Sequence, residues 1–563
     1  MFNVPAMKRL FRRIILILGN SRVHGVTKLS DERIRVFSGT LFNFINSLAI
    51  VVLTAANTVI IANTIGSQLY GSLSLGVTLL DLFTGICAVG MGASLVRFLP
   101  DFLIRKKFSS VNTAISTASI MVLSITAVLT VVGFFLSPFI AIKVFNNYWL
   151  TPIFQLLIVT SLPLLSIKII FQWILSGFQR FDLYMIVDVS FISSYLLFAY
   201  TLLGFGFSIE GVIYAIALAY AFSGLLGFVF YLRVKRKRVE SDKGFKIFDF
   251  GLLKEMFNFG KWDYGMGFME LGFTHFNKIF VGVFLAVAAV GVYAISQTFA
   301  SVLGYIGIAV TATLNPYLSE LTAINMKNKV VNLLKKSIGY SFILSILFSA
   351  PIIVFSEQII GAFFTQQYLS SADPAKILII GFVISSVSRP VGSYFFARKK
   401  LWVNFSILLL SLLAGVALSL LFIPVFSMNG LNQILGIIGT EIARVSNIPA
   451  FSMPGLNQTW GMIGAAVALV VGWIVKTLLY GFFTKRYFKI NIMEKKSAIG
   501  ATIFVIGISV LALLTKISFV LSILGLVIFE VALAFKYRNE LLNFARVAES
   551  YLLPSQKKVI TDK

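Results

Sequence analysis

Apolar residues in this chain gather into long runs instead of alternating with polar ones. A helical membrane span needs about 20 mostly apolar residues. Fourteen such stretches occur, at 37–62, 72–96, 112–137, 152–177, 183–206, 211–232, 264–287, 291–315, 337–360, 375–397, 402–424, 461–484, 497–515 and 518–535. A β-barrel would instead show segments of ~10 residues with alternating polarity. The pattern therefore predicts an all-α polytopic membrane protein with about fourteen transmembrane helices. Polar stretches divide it into a basic N-terminal segment (1–36), six spans (37–232), a basic loop (233–263), six further spans (264–484), a terminal helix pair (485–535) and a tail (536–563). Two six-helix bundles joined by a long loop read as a parallel repeat. The first hairpins of the two halves support this, since "NTIGSQLYGSLSLG" and "LAVAAVGVYAIS" each place a tyrosine, Tyr70 or Tyr293, in a short small-residue turn.

Composition agrees with the pattern. The 563 residues are 58% hydrophobic and 12% charged, against about 25% charged in soluble domains. The net charge of +26 comes from 48 Lys and Arg against 22 Asp and Glu. With both termini cytoplasmic, forty of the basic residues fall on inner segments and four on outer loops (Lys143, Lys376, Arg444, Lys516), while four lie within spans (Lys168, Lys278, Arg389, Lys476). That asymmetry is the positive-inside pattern of a multi-pass protein of the cell membrane, and nucleic acid is not needed to explain it. One cysteine, Cys87, excludes a disulfide framework, and two histidines, His24 and His275, exclude a His-rich metal centre. The basic N-terminus is expected to lie on the inner leaflet uncleaved, and residues 541–548 of the tail to form an interfacial amphipathic helix. Between 425 and 460, "FSMNGLNQ" returns as "FSMPGLNQ"; this outer insertion is read as neutral, with a cap over the external mouth as the alternative. Asn457-Gln458-Thr459 there matches a glycosylation acceptor pattern.

Ionisable side chains within spans are costly and normally face protein or water. They are Asp81, Lys168, Asp188, Glu270, His275, Lys278, Arg389, Lys476 and Glu530. On the seventh span, Glu270, Thr274, Asn277 and Lys278 follow i, i+4, i+7 and i+8, which makes one polar stripe. The first span carries an uncharged counterpart in Asn43, Asn46, Ser47, Thr54, Asn57 and Thr58. Two such stripes point to a shared hydrated cavity or to interhelical hydrogen bonding. Asp81 falls near the midplane. Lys476 reads as a residue whose stem carries its ammonium to the inner headgroups, Lys168 stands between that role and a ligand, and Asp188 is expected to pair with Arg180. Arg389 precedes Pro390 and Gly392, where a kink would widen a lumen. No GxxxxGK phosphate loop occurs, and no outer loop pairs two carboxylates, so neither ATP-driven transport nor a membrane glycosyltransferase or polymerase is expected. No catalytic residue, metal site or cofactor is expected.

The string "TIGSQLYGSLSLGVTLLDLFTGICAVGMGASLVRFLPDF" resembles the polysaccharide-transporter branch of the multidrug/oligosaccharidyl-lipid/polysaccharide exporter superfamily. Gly66, Tyr70 and Gly71 match its LGxxxYG turn, and Gly90, Gly92, Leu95, Val96, Arg97 and Phe98 its LGLGxxLVRF-like ending. Ala88 stands where that pattern often has an acid. "NKIFVGVFLAVAAVGVYAISQTFASV" is similar to the family's seventh and eighth spans, with Asn277 in place of an Asp; "LNPYLSEL" (314–321), "IIGAFFTQQYLSSADPAKILIIG", "ARKKLWVNF" and "WGMIGAAVALVVG" continue the likeness. The resemblance covers most of 36–490, interrupted by the insertion. It implies two bundles around a central cavity and a flippase that moves oligosaccharide on a polyprenyl or dolichyl (pyro)phosphate from the inner to the outer leaflet by alternating access. Expected partners are that glycolipid, membrane lipids and the glycosyltransferases, polymerase or oligosaccharyltransferase of the same pathway. On this reading Lys278, Arg389 and Lys168 contact phosphate, Asn43, Asn46 and Asn57 bond sugar hydroxyls, and Thr274 and Asn277 join them. Asp81 and Glu270 are coupling-ion candidates. A cation-coupled multidrug antiporter and a lipid II flippase are the alternatives within the superfamily.

Overall fold

Hydrocarbon offers no partner for a backbone N–H or C=O, so apolar segments satisfy these groups internally by forming helices. The computed structural model describes residues 27–238, 246–304, 326–398, 400–426, 456–489, 506–511, 514–515 and 518–538, and its regular structure is all helical. Outside the described residues lie the N-terminal segment to residue 26, most of the insertion, "LNPYLSEL", much of the 497–515 stretch and the tail.

In chain order the helices are α1 (Thr27–Ala88), α2 (Met91–Ile104), α3 (Phe108–Phe139), α4 (Leu150–Gly177), α5 (Phe181–Gly204), α6 (Ile209–Arg238) and α7 (Phe250–Phe284). There follow α8 (Val287–Ser301), α9 (Lys327–Val354), α10 (Ser356–Phe363), α11 (Ala372–Ala397), α12 (Leu401–Phe426), α13 (Leu456–Phe488) and α14 (Phe519–Lys536). Among the described residues, nine helices are long and apolar enough to cross a membrane, and α8 and α14 add shorter apolar helices. Helix α7, at 35 residues, is long enough but is not one of the nine. Its polar residues belong to the site described below.

Several boundaries differ from the sequence reading. The first two stretches form two helical segments, numbered together as α1, that meet at a sharp break at Gly66 (φ 79°, ψ 170°), a backbone conformation that L side chains rarely adopt. The second stretch, expected to reach residue 96, stops at Ala88; its "LVRF" end lies on the separate helix α2 beyond a break at Val89 and Gly90. Most of the expected loop 233–263 is helix, because α6 continues to Arg238 and α7 begins at Phe250. Asp249 caps α7 by accepting from the Leu252 N–H at 3.0 Å. That hydrogen bond, with Lys246 beside it, holds the Asp249 carboxyl below the usual range. The Lys246 and Asp249 N–H groups donate to Thr113 and Thr117 of α3 at 3.1 Å each, so the start of α7 rests on the first bundle. Asn457 and Thr459 of the acceptor pattern lie in the first turn of α13, where helical backbone replaces the expected loop.

Two large apolar cores result. One joins residues of α1–α7 from Ile61 to Met256; the other draws mainly on α7–α14 but also takes in Ala62, Leu75, Phe145, Leu150 and Phe154. The cores merge at the end of the molecule away from the basic loops, and the joint there is close. A Cβ on Gly71 would overlap the Val287 carbonyl oxygen, and one on Gly291 would overlap the Ser67 carbonyl oxygen. Ser67 and Gly71 open the second half of α1 as Val287 and Gly291 open α8. The contact is therefore reciprocal, two residues spaced four apart on each side, and it uses the two hairpins whose sequences resemble each other. Hydrogen bonds extend the seam. Asn63 Nδ2 donates to the Phe363 carbonyl (2.7 Å), Ser67 Oγ to Gln367 (3.1 Å) and Tyr368 to the Ala62 carbonyl (2.9 Å).

Backbone cannot yield as a side-chain tip can, so Gly291→Ala should cost about 1–3 kcal/mol, the scale of overpacking. This is read as a lower melting temperature of the purified protein in detergent. Wild-type melting would show that the two helices part at no cost.

Candidate functional site

A cavity of about 520 Å³ opens within the second bundle, walled by α7, α11, α12 and α13. Helix α7 supplies Asp263 and Glu270, α11 supplies Ser388, Arg389 and Ser393, α12 supplies Asn404, and α13 supplies Lys476 and Tyr480. Pro390 lies inside α11 and leaves the Ser386 carbonyl without its usual helical donor, beside Arg389. Tyr480 donates to Asn404 Oδ1, and Asn404 Nδ2 contacts Met266 Sδ at 3.0 Å, which fixes the amide at the wall. The Lys476 ammonium lies 5.7 Å from the centre of the Phe273 ring. Electrostatically Lys476 feels both Glu270 and Arg389. Two cations, two carboxylates, three hydroxyls and an amide thus converge on one cavity.

Lys476, expected to snorkel to the headgroups, instead lines the cavity. It does not reach for the headgroups, because α13 packs between α11 and α12 and turns this face inward, leaving the residue 8% exposed. The available signal was the i, i+4, i+8 row Gly472, Lys476, Tyr480. Gly472 lies against Gly415 of α12, which places the whole row inside the bundle.

The expected stripe on α7 divides among three environments. Glu270 lines the cavity, and Thr274 is exposed with its hydroxyl donating to the Glu270 carbonyl at 3.0 Å. Asn277 is fully buried. It donates to Tyr293 Oη (3.2 Å) and the Ala465 carbonyl (3.0 Å) and accepts from Ser419 (2.9 Å), so it knots α7, α8, α12 and α13 together and is not available to a sugar. Lys278 does not line the cavity; it lies within electrostatic reach of Asp81.

Asp81 meets an unexpected partner. Its Oδ2 lies 3.2 Å from His275 Nε2, while His275 Nδ1 lies 3.2 Å from Thr78 Oγ1. Asp81 and Thr78 belong to α1 and His275 to α7, so a carboxylate–imidazole pair joins the two bundles with Lys278 beside it. Asp81 and Glu270, the two coupling-ion candidates, therefore occupy different places.

Lys168 and Asp188 pair within the first bundle. Lys168 donates to Asp188 at 2.9 Å and sits 4.5 Å above the Phe191 ring; Asp188 also accepts from Gln172 (3.0 Å) and Asn46 (3.2 Å). Arg180, the expected partner of Asp188, instead makes a two-pronged pair with Asp182 at 2.8 and 2.7 Å. The guanidinium fork matches a carboxylate two residues away, and Asp188 is left for the buried ammonium. Asn57 donates to the Ile192 and Leu53 carbonyls at 3.2 and 3.1 Å. Asn46, Asn57 and Lys168 thus bind α1, α4 and α5 together. The side chain of Asn43 lies outside the described residues.

Residues 36–322, just over half of the chain, match the family model described as polysaccharide biosynthesis protein. The chain belongs to that family. No curated protein matches the sequence. Among solved structures, the chain is similar to a lipid II flippase MurJ in an inward closed conformation, at 15% identity and TM-score 0.59, covering 90% of this chain and 98% of that one. A eukaryotic MATE transporter matches at 12% identity and TM-score 0.58 over 84% of this chain and 99% of that one. An inward-facing multidrug resistance MATE family transporter of the MOP superfamily matches at 13% and 0.56, over 79% and 99%. The protein is thus a multi-pass membrane protein of the polysaccharide biosynthesis family whose fold is that of the MurJ and MATE structures.

If Lys168 is scaffold, Lys168→Met strands a buried carboxylate and should destabilise by about 3–5 kcal/mol. Lys168→Met with Asp188→Asn should regain most of that loss. Thermal unfolding in detergent reads both, and a Lys168→Met protein as stable as wild type would return Lys168 to the ligand candidates.

Proposed function

We propose that the protein is a flippase that carries a lipid-linked oligosaccharide from the inner to the outer leaflet by alternating access. The observation that carries this reading is the cavity of the second bundle. Arg389 and Lys476 stand there as paired cations among Ser388, Ser393, Asn404 and Tyr480, in a family of polysaccharide biosynthesis. Phosphate on a polyprenyl or dolichyl carrier needs cations in a medium of reduced dielectric, and sugar hydroxyls need neutral donors and acceptors. A volume of about 520 Å³ falls within the range of small-ligand pockets and suits a headgroup with its first sugars, while the lipid chain stays in the bilayer. Loading would come from the cytoplasmic leaflet, because the basic loops place that end inside and the opposite end is sealed by the Gly71–Gly291 seam. The Asp81–His275 pair and Glu270 are the positions proposed to couple the cycle to an ion. Arg389 and Lys476 also weigh against export of cationic drugs, for which acids alone would suffice.

Reconstituted into vesicles with a labelled lipid-linked oligosaccharide, the protein should speed the appearance of label on the opposite leaflet. Arg389→Ala and Lys476→Ala, with normal insertion, should each slow it roughly tenfold or more, the scale of a lost charge-assisted hydrogen bond. Equal transbilayer movement with and without protein would remove the flippase reading; full activity in both variants would remove the phosphate site.

A further inference from the structure

Lys376 was counted from the sequence as an outer-loop residue, yet its side chain is 4% exposed in the first turn of α11. A buried ammonium is tolerated only when its N–H groups are satisfied. Three elements satisfy this one. Glu357 Oε1, from the first turn of α10, accepts at 2.6 Å; Thr515 Oγ1, from the terminal helix pair, accepts at 2.8 Å; and Asp373 Oδ1 of α11 lies 3.8 Å away.

The placement gives this cluster a consequence. Helix α10 and the 3₁₀ turn Gln366–Ser371 that follows it carry the second bundle's hydrogen-bonding side of the seam, through Phe363, Thr365, Gln367 and Tyr368. The same segment is tied to α8 through Ser296, whose hydroxyl donates to the Ser371 carbonyl at 2.8 Å. Its own start is held by Glu357. The terminal pair lies outside the two six-helix repeats, and its Leu511 and Leu526 pack on Ala350 and Val354 of α9, the helix that leads into α10.

We propose that Lys376 is a positioning residue of the seal at the end away from the basic loops, and that through Thr515 it couples the terminal helix pair to the opening of that end. The inference rests on the alternating-access reading above. Breaking the ammonium's contacts frees the start of α10, and the seam's hydrogen bonds to Asn63, Ser67 and Ala62 lose their fixed partner. The terminal pair thereby becomes a lever on the seal, so that whatever binds or shifts it alters access to the cavity without touching the substrate.

The test uses full-length protein in nanodiscs with a single reporter, Ala62→Cys in a Cys87→Ser background, and a polar maleimide. Ala62 is fully buried beneath Tyr368. Lys376→Met should speed labelling roughly tenfold and Thr515→Val a few-fold, while Lys376→Glu with Glu357→Lys should return the rate toward that of the parent. A second reporter, Ser94→Cys at the basic end in the same background, separates opening of the seal from general loosening and should label no faster. Unchanged labelling of the first reporter in both single variants overturns the proposal, as does equal acceleration of both reporters. If Lys376→Met fails to fold, Thr515→Val decides alone, since it removes only a hydroxyl. A parent that moves no glycolipid but shows the labelling response defeats the flippase reading and leaves the positioning role standing; active transport with flat labelling does the reverse.

Discussion

Every charge that this chain takes out of water must find a partner or keep a path back to water, and the arrangement of the molecule follows from how each one does so. Charge transfer into a medium of low dielectric costs several kcal/mol per ion even after relaxation. Lys168 meets the requirement within its own bundle, through Asp188 and the Phe191 ring. Asp81 meets it across the bundles, through His275. Lys376 meets it at the edge, where α10, α11 and the terminal pair converge. Arg389 and Lys476 border the cavity of the second bundle, with Glu270 beside Lys476. These four solutions do different work. The first makes a rigid wall, the second and third make joints, and the last leaves positive charge facing a space large enough for a ligand.

The joints at the two ends are built from different materials. Away from the basic loops, α1 and α8 touch backbone to backbone at Gly71 and Gly291, with side-chain hydrogen bonds from α10 and its 3₁₀ turn around them. At the basic end the Gly90 and Gly260 backbones meet, Ser94 donates to the Met256 carbonyl at 2.6 Å, and the start of α7 leans on α3. Helix α7 therefore belongs to both bundles. It begins against the first, borders the cavity with Glu270, meets Asp81 with His275, and is knotted to the second bundle at Asn277 before it ends at Phe284. A helix with that many duties carries polar groups on several faces, which is why it lacks the apolar character of its neighbours.

The stripe reading of α7 shows where sequence periodicity stops being informative. Positions 270, 274, 277 and 278 share one side of an ideal helix, and the sequence places them correctly relative to each other. Whether that side meets water, lipid or another helix depends on its neighbours, and here it meets three different surroundings within nine residues. Asn277 was open to two readings, cavity or interhelical bond, and Ala465, Ser419 and Tyr293 decide for the second. Lys476 failed for the complementary reason. Its depth along the helix was compatible with snorkelling, but the face on which it sits looks into the bundle, and depth carries no information about face.

Run length alone determined that this is an all-helical membrane protein, because about 20 apolar residues cannot stay in water and cannot cross lipid with unsatisfied backbone. The unequal distribution of Lys and Arg pointed to its orientation, and the ordered motifs from Gly66 to Phe98 and around Asn277–Val302 pointed to the family to which the 36–322 match assigns it. Which buried charges pair within a bundle, which join the bundles and which line the cavity was decided only by tertiary structure. Pairing depends on distances between residues such as Asp81 and His275, or Lys376 and Thr515, that lie far apart along the chain. No local pattern encodes those distances, and they arise only once the helices have packed.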